Sequence, residues 1–197
     1  FRIEETNSIY LEGQPDVSDS FATALWGLEL MFQVAAAGGA GVNFHTGDTK
    51  AYTPIGLGEG SRHAARPLYY GMLMFKEATQ KAALVPARLL TPSQNVVAYA
   101  TKSADDTLNV CLINKDFEHA THARIESRRN FKSAALLRLT APSAGAKNDV
   151  TLGGSSVDDF GRWSPRQIEE LRWRHNSVVE IPAASAVMVK LSRRRMS

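Results

Sequence analysis

Residues 21–39, FATALWGLELMFQVAAAGG, decide the fold of the first part of this chain. Apolar side chains recur along this stretch at a spacing of about 3.6 residues, which is the period of an α-helix. The stripe that they form consists of Phe21, Leu25, Leu28, Phe32 and Ala35. Ser18-Asp19-Ser20 offers capping side chains before the stripe, and Gly38 and Gly39 offer a left-handed stop after it. The stretch therefore predicts an amphipathic helix.

Short apolar stretches flank this helix on both sides. FRIEET (residues 1–6) precedes it and GVNFHTG (residues 41–47) follows it, and both are typical of short strands. A Gly-rich loop is predicted from Asp48 to Ala65, and a second helix follows Pro67, which suits a first helical turn. The order strand, helix, strand, helix predicts parallel strands joined by right-handed crossovers. Because two such strands do not form a stable sheet alone, we expect residues 1–82 to be part of a larger α/β domain.

From about Leu84 the apolar period changes to the two-residue period of β-strands. The candidate strands, separated by turn signals, are VVAYATK, TLNVCLINKD, ARIES, SAALLRLT, DVTLGG and SVVEIPAASAVMVKLS. Short strands with no helix between them predict an antiparallel β-sandwich over residues 83–197. SPRQIEELRW (residues 164–173) could instead form one or two helical turns, although it lacks an apolar stripe. The predicted fold class is therefore α/β followed by all-β.

Composition narrows the choice of partners. The 197 residues are 44% apolar and 22% charged, as in globular proteins, and 23 basic residues against 20 acidic ones give a net charge of +3. Removing Arg193, Arg194 and Arg195 brings this charge to zero, so we expect no nucleic-acid partner; the alternative is a binding module that uses this basic tail. No apolar run approaches the roughly 18 residues of a membrane span. The single cysteine, Cys111, lies in a strand-like apolar run and is predicted to be buried.

Polar residues that could carry chemistry concentrate after the two predicted parallel strands. The first strand region contributes Glu4, Glu5, Thr6, Asn7 and Tyr10, and the second is followed by His45, Asp48, Lys50 and Tyr52. Active sites of α/β barrels and sheets form at the carboxyl ends of parallel strands, so these groups are expected at one rim. A carboxylate with hydroxyl and amide neighbours suits glycoside hydrolysis, in which a retaining enzyme uses two carboxyl groups about 5–5.5 Å apart. The plainer interpretation is a solvated or salt-bridged glutamate.

The string EETNSIYLEGQPDVSDSFATALW (residues 4–26) resembles the nucleophile strand and the following helix of glycoside hydrolase family 79, the β-glucuronidase and heparanase family. The resemblance continues through GVNFHTG, YYGMLMFKEA, VVAYATK and TLNVCLINKD, and so covers nearly the whole chain. It implies that residues 1–82 are the last two βα units of a (β/α)8 catalytic barrel. Residues 83–197 would then be the family's C-terminal β-sandwich domain.

The resemblance also implies roles for individual residues. Glu5 takes the position of the catalytic nucleophile, and Tyr10 and Tyr52 take those of two tyrosines that bind the carboxylate of the sugar. Phenolic hydroxyls that donate to a carboxylate distinguish a glucuronide from a glucoside. Asn7, Glu12 and His45 are further candidates for substrate contact. Where relatives have Gly-Gly, this chain has Leu11-Glu12, and a Glu12 side chain that points inward would repel the substrate carboxylate.

These observations predict a C-terminal fragment of a retaining β-glucuronidase whose acid/base residue lies upstream of Phe1. Its partners would be a glucuronide or acidic glycan and the remaining N-terminal part of its own barrel, and the resemblance favours a secreted or periplasmic location. We expect no cofactor and no metal, since His119, His122 and His175 show no metal-ligand spacing. The alternative is a non-catalytic module that binds acidic glycans. Trp163 and Trp173 would be a sugar platform or packing residues.

Overall fold

The computed structural model of the protein describes residues 1–47, 50–57, 62–91, 95–127, 129–174 and 176–193. Asp48, His175, Arg194 and Arg195, which the sequence analysis names, lie outside the described residues. Two helices lie against one face of a seven-stranded antiparallel sheet, and a two-stranded antiparallel sheet covers the opposite face. Within the described part of the chain, no helix is both long enough and apolar enough to cross a membrane.

The first part of the chain contains the predicted parallel strand pair and both predicted helices. The elements are β1 (Ile3–Thr6), α1 (Phe21–Ala36), β2 (Val42–Phe44) and α2 (Pro67–Thr79). β1 and β2 pair in parallel, and Trp26 of α1 contacts Phe44 of β2 edge to face at 6.0 Å. α1 and α2 cross closely, because a Cβ atom on Gly71 would lie only 2.2 Å from the carbonyl oxygen of Ala24. This contact leaves no space for a side chain at Gly71.

The N-terminus of α1 is capped by distant backbone. Ser20 occupies the N-cap position, but its hydroxyl donates to the Val17 carbonyl at 2.7 Å and makes no capping bond. The backbone N–H groups of Phe21 and Ala22 donate instead to carbonyl oxygens of residues 146 and 144, each at 2.8 Å. The prediction of a side-chain cap is therefore wrong, since those carbonyls already satisfy the first donors of the helix. At the other end Gly38 adopts the predicted left-handed conformation, with φ of +80°.

The segment predicted as a long loop contains a hairpin. Its strands are β3 (Ile55–Leu57) and β4 (His63–Ala65), which pair antiparallel. Each strand has three residues, which is too short for a two-residue period to be recognised in the sequence.

The rest of the chain forms the two antiparallel sheets. In chain order the strands are β5 (Ala82–Val85), β6 (Val96–Ser103), β7 (Leu108–Asn114), β8 (Thr121–Glu126), β9 (Ser133–Thr140), β10 (Thr151–Leu152), β11 (Glu169–Leu171), β12 (Asn176–Ile181) and β13 (Ser185–Ser192). The large sheet has the order β10-β9-β13-β7-β6-β5, with β11 also paired to β9, and β8 pairs with β12. The predicted antiparallel, β-rich C-terminal portion is confirmed. β11 occupies part of the segment that could have been helical, while the predicted domain division at residues 82 and 83 stays a prediction.

The large sheet is buried on both faces. Along β7, Cys111 and Ile113 face the helices, whereas Val110 and Leu112 face the two-stranded sheet. Alternation therefore places consecutive residues in two different cores, which explains the continuous apolar run LNVCLIN. Each fully buried aliphatic side chain of this kind contributes about 1.5–3 kcal/mol. Burial also raises the pKa of the Cys111 thiol to about 12, so this group is not a nucleophile.

Both tryptophans of the C-terminal portion are packing residues. The Trp163 indole N–H donates to the carbonyl oxygen of Leu152 at 2.9 Å, and its ring packs against the core between helices and sheet. Trp173 contacts Phe131 edge to face, with ring centroids 6.0 Å apart. The structure thus favours packing over a sugar platform for both residues.

Candidate active site

The carboxyl ends of β1 and β2 bring the main predicted residues together. The two strands are parallel, with Ile3 opposite Val42 and Thr6 opposite Phe44, so the residues that follow them emerge at one edge. There, Oε1 of Glu5 lies 3.2 Å from Nδ1 of His45. The Glu5 side chain is 70% exposed and that of His45 is 42% exposed, so both are accessible to a bound molecule.

His45 links Glu5 to Tyr52. Its Nδ1 lies 2.8 Å from the phenolic oxygen of Tyr52, whose residue is 6% exposed. When Nδ1 carries the proton, its N–H donates to the Tyr52 oxygen, and the positive end of this bond also attracts the Glu5 carboxylate, which makes an ion-pair contact at 3.2 Å. The phenolic proton of Tyr52 is then free to be donated to a ligand. The three groups therefore form one connected polar cluster.

Asn7 supports this cluster through the backbone. Its side-chain amide donates to the carbonyl oxygen of His45 at 3.3 Å, and so joins the loop after β1 to the end of β2. The amide oxygen of Asn7 and the hydroxyl of Ser8 are buried and have no hydrogen-bond partner among the described residues. Buried polar atoms without partners are uncommon in native proteins and occur where a ligand, a water or a further segment completes the contacts.

Tyr10 is not brought into the cluster. The residue is 85% exposed, and within the described ranges it makes no hydrogen bond. Its predicted role beside Tyr52 is therefore not visible in the arrangement of these residues.

Glu12 lies in a strained turn and is paired with a lysine. Leu11, Glu12 and Gly13 have φ values of 51°, 70° and 82°, in a region that side-chain-bearing residues rarely adopt. The Lys50 ammonium lies 2.7 Å from the Glu12 carboxylate and, by donating to it, lowers the pKa of Glu12. The same contact raises the pKa of Lys50. The Glu12 carboxylate therefore points towards Lys50 and is neutralised by its ammonium.

Lys50 and Arg66 are the residues whose contacts the sequence did not predict, since isolated loop charges are usually solvated. The Arg66 guanidinium donates to the carbonyl oxygen of Lys50 at 2.6 Å and reaches that of Ala51 at 3.4 Å. Arg66 thereby holds the turn that precedes Tyr52. Across the described residues, no three His, Cys, Asp or Glu side chains converge as a metal-binding group would.

Comparison with known proteins shows which family the chain resembles. Residues 98–188 match the family described as Glycosyl hydrolase family 79 C-terminal beta domain. The predicted resemblance to glycoside hydrolase family 79 is confirmed. The family 79 match lies within the β-rich portion, from β6 to β13.

Relatives extend the similarity beyond the family 79 domain. A β-glucuronidase of Aspergillus niger is 26% identical over an alignment of 219 residues, which covers 95% of this chain and 40% of that protein. A β-glucuronidase of Neurospora crassa is 36% identical over 70 residues, which cover 34% of this chain and 12% of that protein. This chain therefore spans 40% or less of the length of these two relatives.

A solved structure shares the fold of nearly the whole chain. The GH51 α-L-arabinofuranosidase from Thermotoga petrophila superposes with a TM-score of 0.71 at 13% sequence identity. The superposition covers 96% of this chain and 42% of that enzyme. The order of elements found here, parallel strand pair and helices before antiparallel sheets, therefore occurs within a known glycoside hydrolase.

Proposed function

We propose that this chain is the C-terminal part of a retaining glycoside hydrolase that cleaves β-linked glucuronides, with Glu5 as the nucleophile. The observation that carries the proposal is the contact series from Glu5 to His45 (3.2 Å) and from His45 to Tyr52 (2.8 Å). It places an ionisable carboxylate beside a hydrogen-bond donor at the carboxyl end of a parallel strand, as such an active site requires. The similarity to β-glucuronidases supports the choice of substrate.

In the proposed reaction, a Glu5 carboxylate oxygen attacks the anomeric carbon while the bond from that carbon to the leaving-group oxygen breaks. A second carboxyl group protonates the leaving oxygen, and a glycosyl ester on Glu5 remains. Water, deprotonated by the second carboxylate, then attacks the anomeric carbon, and the sugar leaves with its configuration retained. The His45 ring lies 3.2 Å from Glu5 and attracts its carboxylate when Nδ1 is protonated, and the phenolic proton of Tyr52 is available to the sugar.

The second carboxyl group belongs, in this proposal, to an earlier strand of the same barrel. Residues 1–82 would supply the last two βα units, and residues 83–197 the domain that covers them. The remaining N-terminal part of the barrel would complete the cavity around the exposed Glu5 side chain and provide partners for the buried Asn7 and Ser8 atoms. The fragment alone should therefore be inactive.

Replacing Glu5 by Gln in the protein that contains this chain tests the proposal. Turnover of an aryl β-glucuronide should fall by at least about a thousandfold, because the amide cannot form the ester intermediate. Glu4→Gln is the matched control, since Glu4 is the neighbouring exposed strand residue and should leave turnover within about threefold of wild type. Substantial turnover by Glu5→Gln, or product with inverted configuration in proton NMR, would contradict the proposed mechanism.

The 70% exposure of the Glu5 side chain favours one second candidate, a non-catalytic module that recognises acidic glycans. In that case the wild-type protein would bind glucuronic acid in calorimetry and release no aglycone from an aryl glucuronide. Glu5→Gln would then change the affinity and leave no activity to lose.

A further inference from the structure

Glu12 and Lys50 join the two loops that carry the candidate active site. Glu12 lies in the loop after β1, seven residues beyond Glu5, and Lys50 lies in the loop after β2, between His45 and Tyr52. Their side chains meet at 2.7 Å, and the backbone N–H of Ala51 donates to the Glu12 carbonyl oxygen at 3.0 Å. We refer to these two contacts as the Glu12–Lys50 clasp.

The clasp holds a backbone conformation that glycine would adopt with less strain. Leu11 and Glu12 both have positive φ, and the turn is pressed against the second loop at Gly13. A Cβ atom on Gly13 would lie 3.0 Å from the backbone nitrogen of Tyr52 and 2.9 Å from the Ser18 side chain. The turn that contains residue 12 is therefore fixed next to Tyr52. The turn itself does not require an acidic side chain, so the negative charge of Glu12 is an additional feature of this edge.

The charges at this edge of the candidate active site determine whether an anionic ligand can approach it. Glu5 lies in β1 and Glu12 lies in the loop that follows it, so this edge carries two carboxylates, and the Lys50 ammonium contacts that of Glu12. Lys50 is also electrostatically coupled to the rest of the site: its pKa is raised first by the hydrogen bond to Glu12, and the charge of Glu5 raises it further. Without Lys50, the edge would present two carboxylates to an incoming anion.

We propose that Lys50 is a specificity-determining residue for sugars that carry a carboxylate, because its ammonium neutralises Glu12 beside the Glu5–His45–Tyr52 cluster. This inference deepens the proposed function and rests on it. The clasp lets an acidic sugar approach the edge, whereas an unpaired Glu12 would favour neutral sugars by repelling the acidic ones. Glu12 is the negative charge that the Lys50 ammonium neutralises in this proposal.

Three variants of the full protein test this: Lys50→Met, Glu12→Gln and the double variant. The readout is the ratio of kcat/KM for an aryl β-glucuronide to that for the matching aryl β-glucoside. Lys50→Met should lower the ratio roughly three- to tenfold, mainly through KM for the glucuronide, because it exposes the Glu12 charge. Glu12→Gln should raise or preserve the ratio, and the double variant should return it to within about threefold of wild type. Lys76→Met, which removes an exposed ammonium from α2, is the charge-matched control.

A purely structural clasp gives a different pattern. Lys50→Met and Glu12→Gln both break the same ion pair, so both would then weaken turnover of the two substrates alike and leave the ratio unchanged. That result, with wild-type glucuronide turnover intact, would overturn the inference and leave the proposed function standing.

If the wild type does not hydrolyse the glucuronide, the proposed function fails, and calorimetry with glucuronate and glucose decides the inference separately. Loss of glucuronate affinity in Lys50→Met, restored in the double variant, would support it. Equal affinities of wild type and Lys50→Met for glucuronate, or no binding of glucuronate by the wild type, would reject it.

Discussion

The carbonyl oxygen of Ala146 accepts a hydrogen bond from the backbone N–H of Phe21 at 2.8 Å, so the connection between β9 and β10 caps the first turn of α1. Lys147, the next residue, reaches Asp16 and Asp19 in the loop before α1 at 2.7 and 2.9 Å. The loop that begins at the end of β1 is thus anchored at its far end by the β-rich portion. These contacts join the loop that contains Glu12, and the start of α1, to residues more than 120 positions later in the chain.

Inserting two glycines after Gly145 should release this cap. We expect the free energy of unfolding to fall by about 1–2 kcal/mol, which is the usual effect of losing a helix N-cap. Hydrogen exchange should accelerate at the amides of Phe21 and Ala22, which are protected although they lie in a first turn. The control is the same insertion after the exposed Arg88. Unchanged exchange at both amides would show that another group caps α1.

Replacing Tyr52 by Phe should lower kcat/KM for an aryl β-glucuronide by about tenfold or more. The change removes the hydroxyl that lies 2.8 Å from His45 and, in the proposed function, the donor to the sugar; hydrogen bonds to charged groups contribute about 1.5–3 kcal/mol. Tyr70→Phe is the matched control, because the Tyr70 hydroxyl accepts from the backbone N–H of Val157 and should affect stability rather than turnover. Equal activity losses in the two variants would argue against a role for Tyr52 at the site.

The ionised carboxylate of Asp116 should stabilise the fold at neutral pH, so the free energy of unfolding should fall in acid as this group is protonated. Backbone N–H groups of Glu118 and His119 donate to its carboxylate and lower its pKa from 3.8 to about 2. Because the folded pKa lies below the unfolded one, the ionised carboxylate stabilises the fold above about pH 4, and this contribution is lost as the pH falls towards 2. The difference in unfolding free energy between wild type and Asp116→Asn should therefore be present at neutral pH and shrink over that window. Urea titrations across pH 2–7 measure it, with the exposed neighbour Glu118→Gln as the control; a pH-independent difference would contradict the assignment.

Gly71→Ala should destabilise the protein through the crossing of α1 and α2. The added Cβ atom would lie 2.2 Å from the Ala24 carbonyl oxygen, and a backbone atom cannot move aside as a flexible side chain can. Overpacking of this kind costs about 1–3 kcal/mol. Gly145→Ala is the control, since a Cβ atom there meets nothing within 4 Å. Equal midpoints of chemical denaturation for the two variants would show that the helices separate at low cost.

Local periodicity predicted the helices and the antiparallel strands, because those patterns depend on neighbouring residues, and the order of elements predicted the parallel pair. The order of elements also predicted that Glu5 and His45 would lie at one rim, since both are at the carboxyl ends of parallel strands. Tyr10 was predicted on resemblance and remains outside the cluster, because strand order does not determine the direction of a loop side chain. The capping of α1 by residues 144 and 146 could not be predicted from the sequence, because the capping groups are backbone carbonyl oxygens, which every residue has. The same holds for the Glu12–Lys50 ion pair, which only the fold brings together.

The two-sided burial of the large sheet restricts how the chain length can vary. β7 and β13 each supply side chains alternately to the helix-side core and to the core beneath β8 and β12. Adding or removing one residue inside either strand would move every side chain beyond the change to the opposite face of the sheet. Removing one residue before Leu112, for example, would put Ile113 in the place of Leu112. Length differences among homologous sequences should therefore be confined to the connections between strands, and a single-residue gap aligned within β7 or β13 would mark an alignment error.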